Sequence, residues 1–357
     1  MGRHHAPVSH PARDRTAVRT VVLAMIGLAA FVIAMIASYS GAFAKPTLHH
    51  MTVAVAGPQQ VVDAIRGQDG LVVTEVGDGS AARLQVYERT ADAAFAVGPA
   101  GDMKIYVAGG GGRSVATAAE TVGRAIADRS GLAASVDDVA PTAAGDPTGT
   151  VEFYAVIFIS IGASVGAAVF GRLMGSVRNP ATLTLRTMTL AGYSALLAGC
   201  VTVYVDGVLQ ALTGHPWQVF GALWLYSMAV GGAITGVAAA FGTVASVALT
   251  LFLVVIGNAA AAGPVGRPLL SGFYTAFNAI VPQGSGVSLL RSIEYFGGNG
   301  AQTPLVTLAI WGAAGCLLAV LATASRVNYR ALHERFLPDA AGRNRALLRP
   351  RLLSPAD

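Results

Sequence analysis

Val151–Phe170 (VEFYAVIFISIGASVGAAVF) is an apolar stretch whose one charged residue, Glu152, stands at its beginning. A helix of about 20 apolar residues is long enough to cross the hydrocarbon core of a bilayer. The whole chain is 54% hydrophobic and only 12% charged, whereas an ordinary soluble domain has about 25% charged residues. The stretch and the composition together predict a membrane protein. Glu152 is expected to reach the aqueous phase from the end of its helix.

Further apolar stretches of similar length bring the number of predicted spans to six. In chain order the spans are 20–43, 151–170, 187–205, 219–239, 242–262 and 305–325. A single helix over 219–262 would be about twice as long as the hydrocarbon core is thick, so two helices joined by a tight turn are expected there. The predicted fold class is a mainly α membrane protein of six transmembrane helices, with a small extracytoplasmic α/β domain between helices 1 and 2.

Positive charge gathers in the tail 1–19, the loop 171–186 and the tail 326–357. These segments hold fourteen basic and four acidic residues, whereas the rest of the chain holds ten basic and fifteen acidic ones. Because arginine and lysine are enriched on the cytoplasmic side of membrane proteins, we expect a multi-pass plasma-membrane protein with both termini in the cytoplasm. The net charge of +5 then reflects topology. We expect the chain to contact the lipid bilayer and not to bind nucleic acid.

The first span has an alternative interpretation, because Ala42-Phe43-Ala44 is similar to a signal-peptidase site. The apolar run 20–43 is longer than the core of about 7–15 residues that a signal peptide has. The length favours an uncleaved membrane anchor over a peptide that is removed after Ala44.

Residues 44–150 are polar and alternate strand-like with helix-like patterns. The predicted strands are 52–56, 71–76, 93–97 and 104–108, and the predicted helices are 59–66, 80–89 and 114–129. The stretch 139–150 (VAPTAAGDPTGT) is expected to be a linker by its composition. Gly109–Gly112 lies between a predicted strand and helix, where it either offers an anion site at the helix N-terminus or, as we favour, is a flexible connection.

Several kinds of chemistry are excluded by the sequence. Neither Lys45 nor Lys104 follows a glycine, as the lysine of a Walker phosphate loop must. Cys200 and Cys316 have no zinc-site spacing, and no catalytic set of residues falls on one side of the membrane. The interiors of the six spans hold no Asp, Glu, Lys, Arg or His, which argues against proton-coupled transport. We therefore expect no enzyme activity, no metal and no cofactor.

Residues 263–298 are apolar but are interrupted by glycine and proline every few residues. Such irregular backbone is stable at membrane depth only when it packs against protein or water. We predict a re-entrant segment whose two short helices, 268–280 and 285–296, dip into the outer leaflet. Its candidate site residues are Pro268, Pro282, Arg291 and Glu294. Since Arg291 and Glu294 are three residues apart on one helix, they are expected to form an ion pair.

The same region resembles a known family. In order, it contains Gly257-Asn258, Pro268-Leu269-Leu270-Ser271-Gly272-Phe273, Val281-Pro282 and Leu290-Arg291-Ser292-Ile293-Glu294-Tyr295-Phe296-Gly297-Gly298. This order is similar to the last extracellular segment of type-two ATP-binding-cassette exporter permeases, in particular those of the phage-infection-protein branch. The opening of the chain is similar too, with one span, Ser38-Tyr39-Ser40-Gly41 and a Val-Ala-Val strand. Many members of that branch differ in having a much longer outside domain.

The resemblance implies a six-helix permease that works with an ATPase on a separate chain and moves an amphipathic or lipid-like substrate. Such permeases are commonly homodimers or heterodimers. The resemblance also implies that the loop 171–186 carries a coupling helix, which Pro180 would open and which would end near Leu185. The candidate docking residues are Arg172, Arg178, Asn179 and Pro180. The arginines there equally satisfy the positive-inside rule, and would then only anchor the helices at lipid headgroups.

A second hypothesis fits the same sequence. The chain would be a non-transporting membrane scaffold, such as a secretion-system subunit or a surface receptor, that acts through its outside domain. A neighbouring ATPase gene would favour the permease, and a secretion gene cluster would favour the scaffold.

Overall fold

The computed structural model of the chain describes residues 15–175, 177 and 179–336. Its first helix, α1 (Arg15–Phe43), is apolar and exposed along the whole window that is long enough to cross a membrane. Contact with the rest of the protein is made near its C-terminal end, where the Ser38 hydroxyl donates to the Val255 carbonyl at 2.8 Å and Ala42 is buried. A helix that is apolar on all sides is suited to lipid.

A small α/β domain follows α1. Its elements are β1 (Met51–Ala56), α2 (Gln59–Arg66), β2 (Leu71–Glu75), α3 (Gly79–Tyr87), β3 (Ala93–Val97), β4 (Asp102–Val107), α4 (Arg113–Arg129) and β5 (Ala133–Asp138). The strand order is β2-β1-β3-β4-β5, with β3 and β4 antiparallel and the other neighbours parallel. The prediction of an α/β domain is confirmed, and α2 and β3 have the predicted bounds.

The last strand of this sheet, β5, was not predicted. It lies at the edge of the sheet, where it pairs in parallel with β4 and leaves most of its side chains exposed. The linker 139–150 that follows is fixed in place: Val139 and Ala140 are buried, and the Asp146 carboxylate accepts a hydrogen bond from the Val151 backbone N–H at 2.7 Å. A linker composition therefore does not mean a free linker here.

The edge strand leads to a prediction about the isolated domain. We expect a fragment of residues 48–140 to fold as a soluble α/β unit, and a fragment of residues 48–132 to be less stable, because removal of β5 leaves β4 as an unpaired edge. Urea denaturation followed by circular dichroism compares the two fragments. Equal midpoints would show that β5 contributes nothing to the stability of the domain.

The membrane part is formed by the remaining helices. They are α5 (Val151–Leu173), α6 (Pro180–Val203), α7 (Pro216–Phe241), α8 (Thr243–Phe252), α9 (Gly272–Asn278), α10 (Pro282–Tyr295) and α11 (Gln302–Phe336). Within the described residues, five helices are long and apolar enough to cross a membrane, namely α1, α5, α6, α7 and α11. The prediction of a mainly helical membrane protein is supported at this level.

The predicted fifth span, 242–262, is shorter than expected. Helix α8 continues through a π-helical turn, Leu253–Gly257, and the combined apolar helix falls short of the length of a full span. The chain then leaves the helical path, with a left-handed φ of 58° at Ala262. Gly263-Pro264 follows, and proline cannot continue a helix because it has no backbone N–H and disfavours helical geometry at the residue before it. The carbonyl groups of Ala262 and Gly263 accept hydrogen bonds from Arg291 instead.

The predicted third span, 187–205, begins earlier than expected. Asn179 caps α6 through its side-chain oxygen, which accepts from the Thr182 backbone N–H at 2.8 Å, and Pro180 is the first helical residue. Helix α6 then continues to Val203 without a break. The prediction of a separate short helix between Pro180 and Leu185 is therefore wrong.

Helices α9 and α10 form a hairpin that inserts among the longer helices from the end of the bundle nearest the α/β domain, here called the domain end. The indole N–H of Trp311, nine residues into α11, donates to the Ile280 carbonyl at 2.8 Å. Gln283 donates to the hydroxyl of Ser160, nine residues into α5, at 3.1 Å. At about 1.5 Å per residue, the tip of the hairpin lies about 14 Å from the domain end. The predicted short helices thus exist, with the bounds of α9 and α10.

Glycines set the closest helix contacts. A Cβ atom at Gly315 of α11 would lie 2.5 Å from the carbonyl carbon of Gly232 in α7, and one at Gly236 would collide with the Gly315 carbonyl. In α5, a Cβ atom at Gly166 would lie 2.5 Å from the Tyr193 ring. Small residues at these positions let the helix backbones approach each other closely.

Candidate functional site

A cavity of about 410 Å³ lies where the α/β domain meets the α9–α10 hairpin and the beginning of α11. Its charged lining residues are Arg89, Asp92, Arg267 and Arg291. Three of these four are cations, in a chain with few charges. Among these four residues, only Arg291 was predicted from the sequence to be a site residue.

Arg291, on α10, is 4% exposed and joins three separate segments. Its Nη1 donates to the carbonyl oxygens of Gly111 at 3.1 Å and Ala262 at 3.2 Å. Its Nη2 donates to those of Gly149 at 3.2 Å and Gly263 at 3.1 Å. One guanidinium therefore ties the α/β domain, the linker and the segment after α8 to the hairpin.

Arg89 makes a second connection between the same parts. It follows α3, and its Nη1 donates to the Ser288 carbonyl at 2.9 Å and to the Ser292 hydroxyl. Its guanidinium carbon stands 4.9 Å from the centre of the Phe296 ring, within the range of a cation–π contact. Burial, followed by the charge of Arg291, lowers the pKa of Arg89 to about 10. The side chain therefore remains protonated at neutral pH.

Asp92 and Arg267 complete the charged lining. The Asp92 carboxylate accepts from the backbone N–H of Thr52 at 2.8 Å and from its hydroxyl at 2.7 Å. Burial raises the pKa of Asp92, against the opposing effect of the Thr52 hydrogen bonds and of the charges of Arg267 and Arg89. Arg267 is exposed, and its guanidinium makes no hydrogen bond or ion pair to the described residues. It is thus the cation of the cavity that is free to meet a ligand.

Glu152, at the beginning of α5, does not reach water. It is fully buried, and neither carboxylate oxygen has a hydrogen-bond partner. Among the charged groups, Arg291 acts on it most strongly. Burial and, next, the charge of Glu152 raise the pKa of Tyr295, whose hydroxyl is therefore protonated. The expectation that Glu152 extends into the aqueous phase is wrong, because α10 and the linker cover the beginning of α5.

The expected ion pair of Arg291 with Glu294 is not formed. Glu294 instead accepts a hydrogen bond from the Gly214 backbone N–H at 2.9 Å, and Arg291 donates to backbone carbonyls. Pro282 is the first residue of α10, and the Pro268 carbonyl accepts from the His49 backbone N–H at 2.6 Å. Three of the four re-entrant candidates thus serve the packing of the hairpin and the loops around it, and Pro268 also lines the cavity.

The run Gly109–Gly112 packs against the end of the hairpin. A Cβ atom at Gly110 would collide with the Tyr295 ring, and one at Gly111 would lie 3.3 Å from Phe296. The run does connect a strand to a helix, as predicted, but close packing rather than flexibility explains its glycines.

The hairpin tip carries buried polar side chains. Gln283 is fully buried and donates to Ser160 and to the Leu253 carbonyl at 2.9 Å. Asn258 follows the π-helical turn Leu253–Gly257, which contacts Gln283, and its amide group is fully buried and has no hydrogen-bond partner. The tip is therefore a polar region inside an apolar bundle.

The opposite end of the bundle holds three of the four candidate docking residues. Arg172 is exposed in the last turn of α5, and Arg178 lies outside the described residues. Asn179 and Pro180 start α6, so their residue types have a structural explanation.

The connection between α5 and α6 is held by two other arginines. Arg186 is buried and donates to the Gly175 carbonyl at 3.0 Å. Arg326 of α11 donates to the carbonyls of Val177 at 2.6 Å and Ala239 at 2.5 Å. The backbone that carries Arg172 is thus fixed to the rest of the bundle.

Comparisons of the chain with known proteins identify no relative. No family model matches the chain, and neither a curated protein nor a solved structure matches it. Among the described residues there is also no group of three or more His, Cys, Asp or Glu side chains that would hold a metal ion.

Proposed function

We propose that this chain is the membrane permease subunit of an ATP-binding-cassette-type exporter, which moves an amphipathic or lipid-like substrate and is driven by an ATPase on a separate chain. The observation that carries the proposal is the α9–α10 hairpin. It enters the bundle to a depth of about 14 Å from the domain end, and its outer end forms an arginine-lined cavity with the α/β domain. A substrate with a polar and an apolar part finds both environments there.

The proposed topology has six crossings, with α8 and its π-helical turn as the shortest. Both termini and the α5–α6 connection are then cytoplasmic, and the α/β domain lies outside the plasma membrane. The end of the bundle with Arg172, Arg186 and Arg326 is opposite to the α/β domain, in agreement with the positive-inside rule.

We propose that transport is driven by ATP hydrolysis on another chain. This chain has no Walker lysine, and the one acidic residue within α5, Glu152, is buried at the domain end and not along the length of the helix. An ATPase subunit is therefore the proposed partner, with a second permease chain, identical or different, in the full assembly.

The experiment is co-purification of the tagged full-length chain from native membranes, followed by mass spectrometry. We expect an ATPase with a Walker motif to be recovered. With the Arg172→Glu or the Arg178→Glu variant, the amount of ATPase recovered should fall by at least half, because the reversed charge would repel an acidic docking surface on the ATPase. The controls Arg172→Lys and Arg178→Lys keep the charge and should retain the ATPase.

Insertion of each variant is checked with a reporter active only in the cytoplasm, which should give no signal when fused after residue 100. Correctly inserted glutamate variants that retain the ATPase would end the docking hypothesis and leave the arginines as lipid anchors. Recovery of secretion components and no ATPase by the unaltered chain would favour the scaffold instead.

A further inference from the structure

We infer that the cavity between the α/β domain and the hairpin binds the anionic head of an amphiphile, a phosphodiester or a carboxylate, while the apolar chains of the molecule lie along α11 and the hairpin tip. The claim that the cavity binds such a ligand is argued from the geometry of the cavity. The further claim that the ligand is the substrate of an exporter rests on the proposed function.

The charges of the cavity favour an anion. Three guanidinium groups, those of Arg89, Arg267 and Arg291, share the lining with one carboxylate, that of Asp92. The lining therefore has an excess of positive charge, which favours an anionic ligand.

Two lining groups are free to contact the ligand. Arg267 makes no hydrogen bond to the described residues through its guanidinium, whereas Arg89 and Arg291 are occupied by serine and backbone oxygens. Ser285 of α10 is 6% exposed and lines the cavity, and its hydroxyl makes no hydrogen bond to the described residues. A guanidinium and a hydroxyl donor are a common combination for phosphate and carboxylate oxygens.

The size of the cavity fits a head and excludes a whole lipid. About 410 Å³ is at the lower end of the range of about 300–1,000 Å³ for small-ligand pockets, so long acyl chains must lie outside it. Ala279 and Thr307 form part of the lining. Just beyond them, Ile280 and Ile310 are each 61% exposed, and provide an apolar surface at the level of the hairpin tip.

The test uses the purified full-length chain in a non-ionic detergent and native mass spectrometry to measure bound lipid. The probes are phosphatidylglycerol, which has one net negative charge, phosphatidylcholine, which has none, and glycerophosphoglycerol, which is the same phosphodiester head without acyl chains. We expect phosphatidylglycerol to be retained at least about fivefold better than either of the others.

The variants separate the ligand site from general effects. Arg267→Gln should lower phosphatidylglycerol retention about fivefold and Ser285→Ala about threefold. Asp92→Asn removes the one carboxylate of the lining and should raise retention. Arg129→Gln makes the same charge change at an exposed position outside the cavity lining and should have no effect. Opposite effects of two variants in one cavity cannot both come from misfolding.

Equal retention of phosphatidylglycerol and phosphatidylcholine would overturn the inference, as would an Arg267→Gln variant that behaves like Arg129→Gln. Equal binding of glycerophosphoglycerol would show that the site binds free anions, and would overturn the proposal of an amphiphilic ligand. These measurements need no ATPase. If lipid binding fails but the ATPase is recovered, only the inference of a lipid site is contradicted. If lipid binds selectively but no ATPase is recovered, the exporter proposal is contradicted and the lipid site stands.

Discussion

Replacing Arg291 by methionine is expected to loosen the α/β domain from the membrane helices and to destabilise the protein by at least about 3 kcal/mol. The guanidinium is 4% exposed and donates to four backbone carbonyls. Methionine has a similar length but no donor, so these carbonyls lose their partner in the interior. Thermal unfolding in detergent should show the loss, and limited proteolysis should cut the linker 139–150 faster than in the unaltered chain.

A second substitution tests the cause of this loss. Arg291→Met also leaves the buried Glu152 without its cation, so Arg291→Met combined with Glu152→Gln should be more stable than Arg291→Met alone. Arg267→Met is the matched control, because Arg267 is exposed and is expected to change stability little. An Arg291→Met protein with unchanged unfolding and proteolysis would show that the domain is held by its apolar contacts instead.

The sequence predicted most elements of the α/β domain because their patterns are local. Gln59–Arg66 follows a proline and has one apolar face, and Ala93–Val97 is a continuous apolar run between turn residues. The edge strand β5 escaped prediction because its exposed positions follow neither a buried nor an alternating pattern. The hydrogen bonds of the Ala262 and Gly263 carbonyls with Arg291, some thirty residues later, are contained in no local pattern.

The cavity could be predicted only in part. Arg267 and Arg291 are the two basic residues between the third span and the last one, and this rarity is a signal that the sequence does offer. Arg89 and Asp92 carry no such signal, since they lie in a polar domain. Arg89 reaches the site through contacts with α10 about two hundred positions away, and Asp92 is held at the cavity by hydrogen bonds from Thr52. Three-dimensional placement, not residue type, brings them together.

Replacing Gly315 by alanine is expected to disrupt the contact between α7 and α11. The added Cβ atom would lie 2.5 Å from the Gly232 carbonyl carbon and 2.6 Å from the Ala233 backbone nitrogen. Both are backbone atoms, so no side-chain rotation relieves the overlap, and the two helices must move apart along their interface. We expect a loss of about 3 kcal/mol, measured as a lower midpoint of thermal unfolding and earlier aggregation on size-exclusion chromatography in detergent.

Gly312 of the same helix is the matched control. A Cβ atom there would lie 4.0 Å from the Ala229 Cα atom, an ordinary contact, so Gly312→Ala should leave the unfolding midpoint nearly unchanged. Gly236→Ala strains the same contact from the other helix. Helices already separated by one added methyl group have room for the second. The double variant Gly236→Ala/Gly315→Ala should therefore lose less stability than the sum of the losses of the two single variants. A Gly315→Ala protein as stable as Gly312→Ala would show that α7 and α11 are not packed through these glycines.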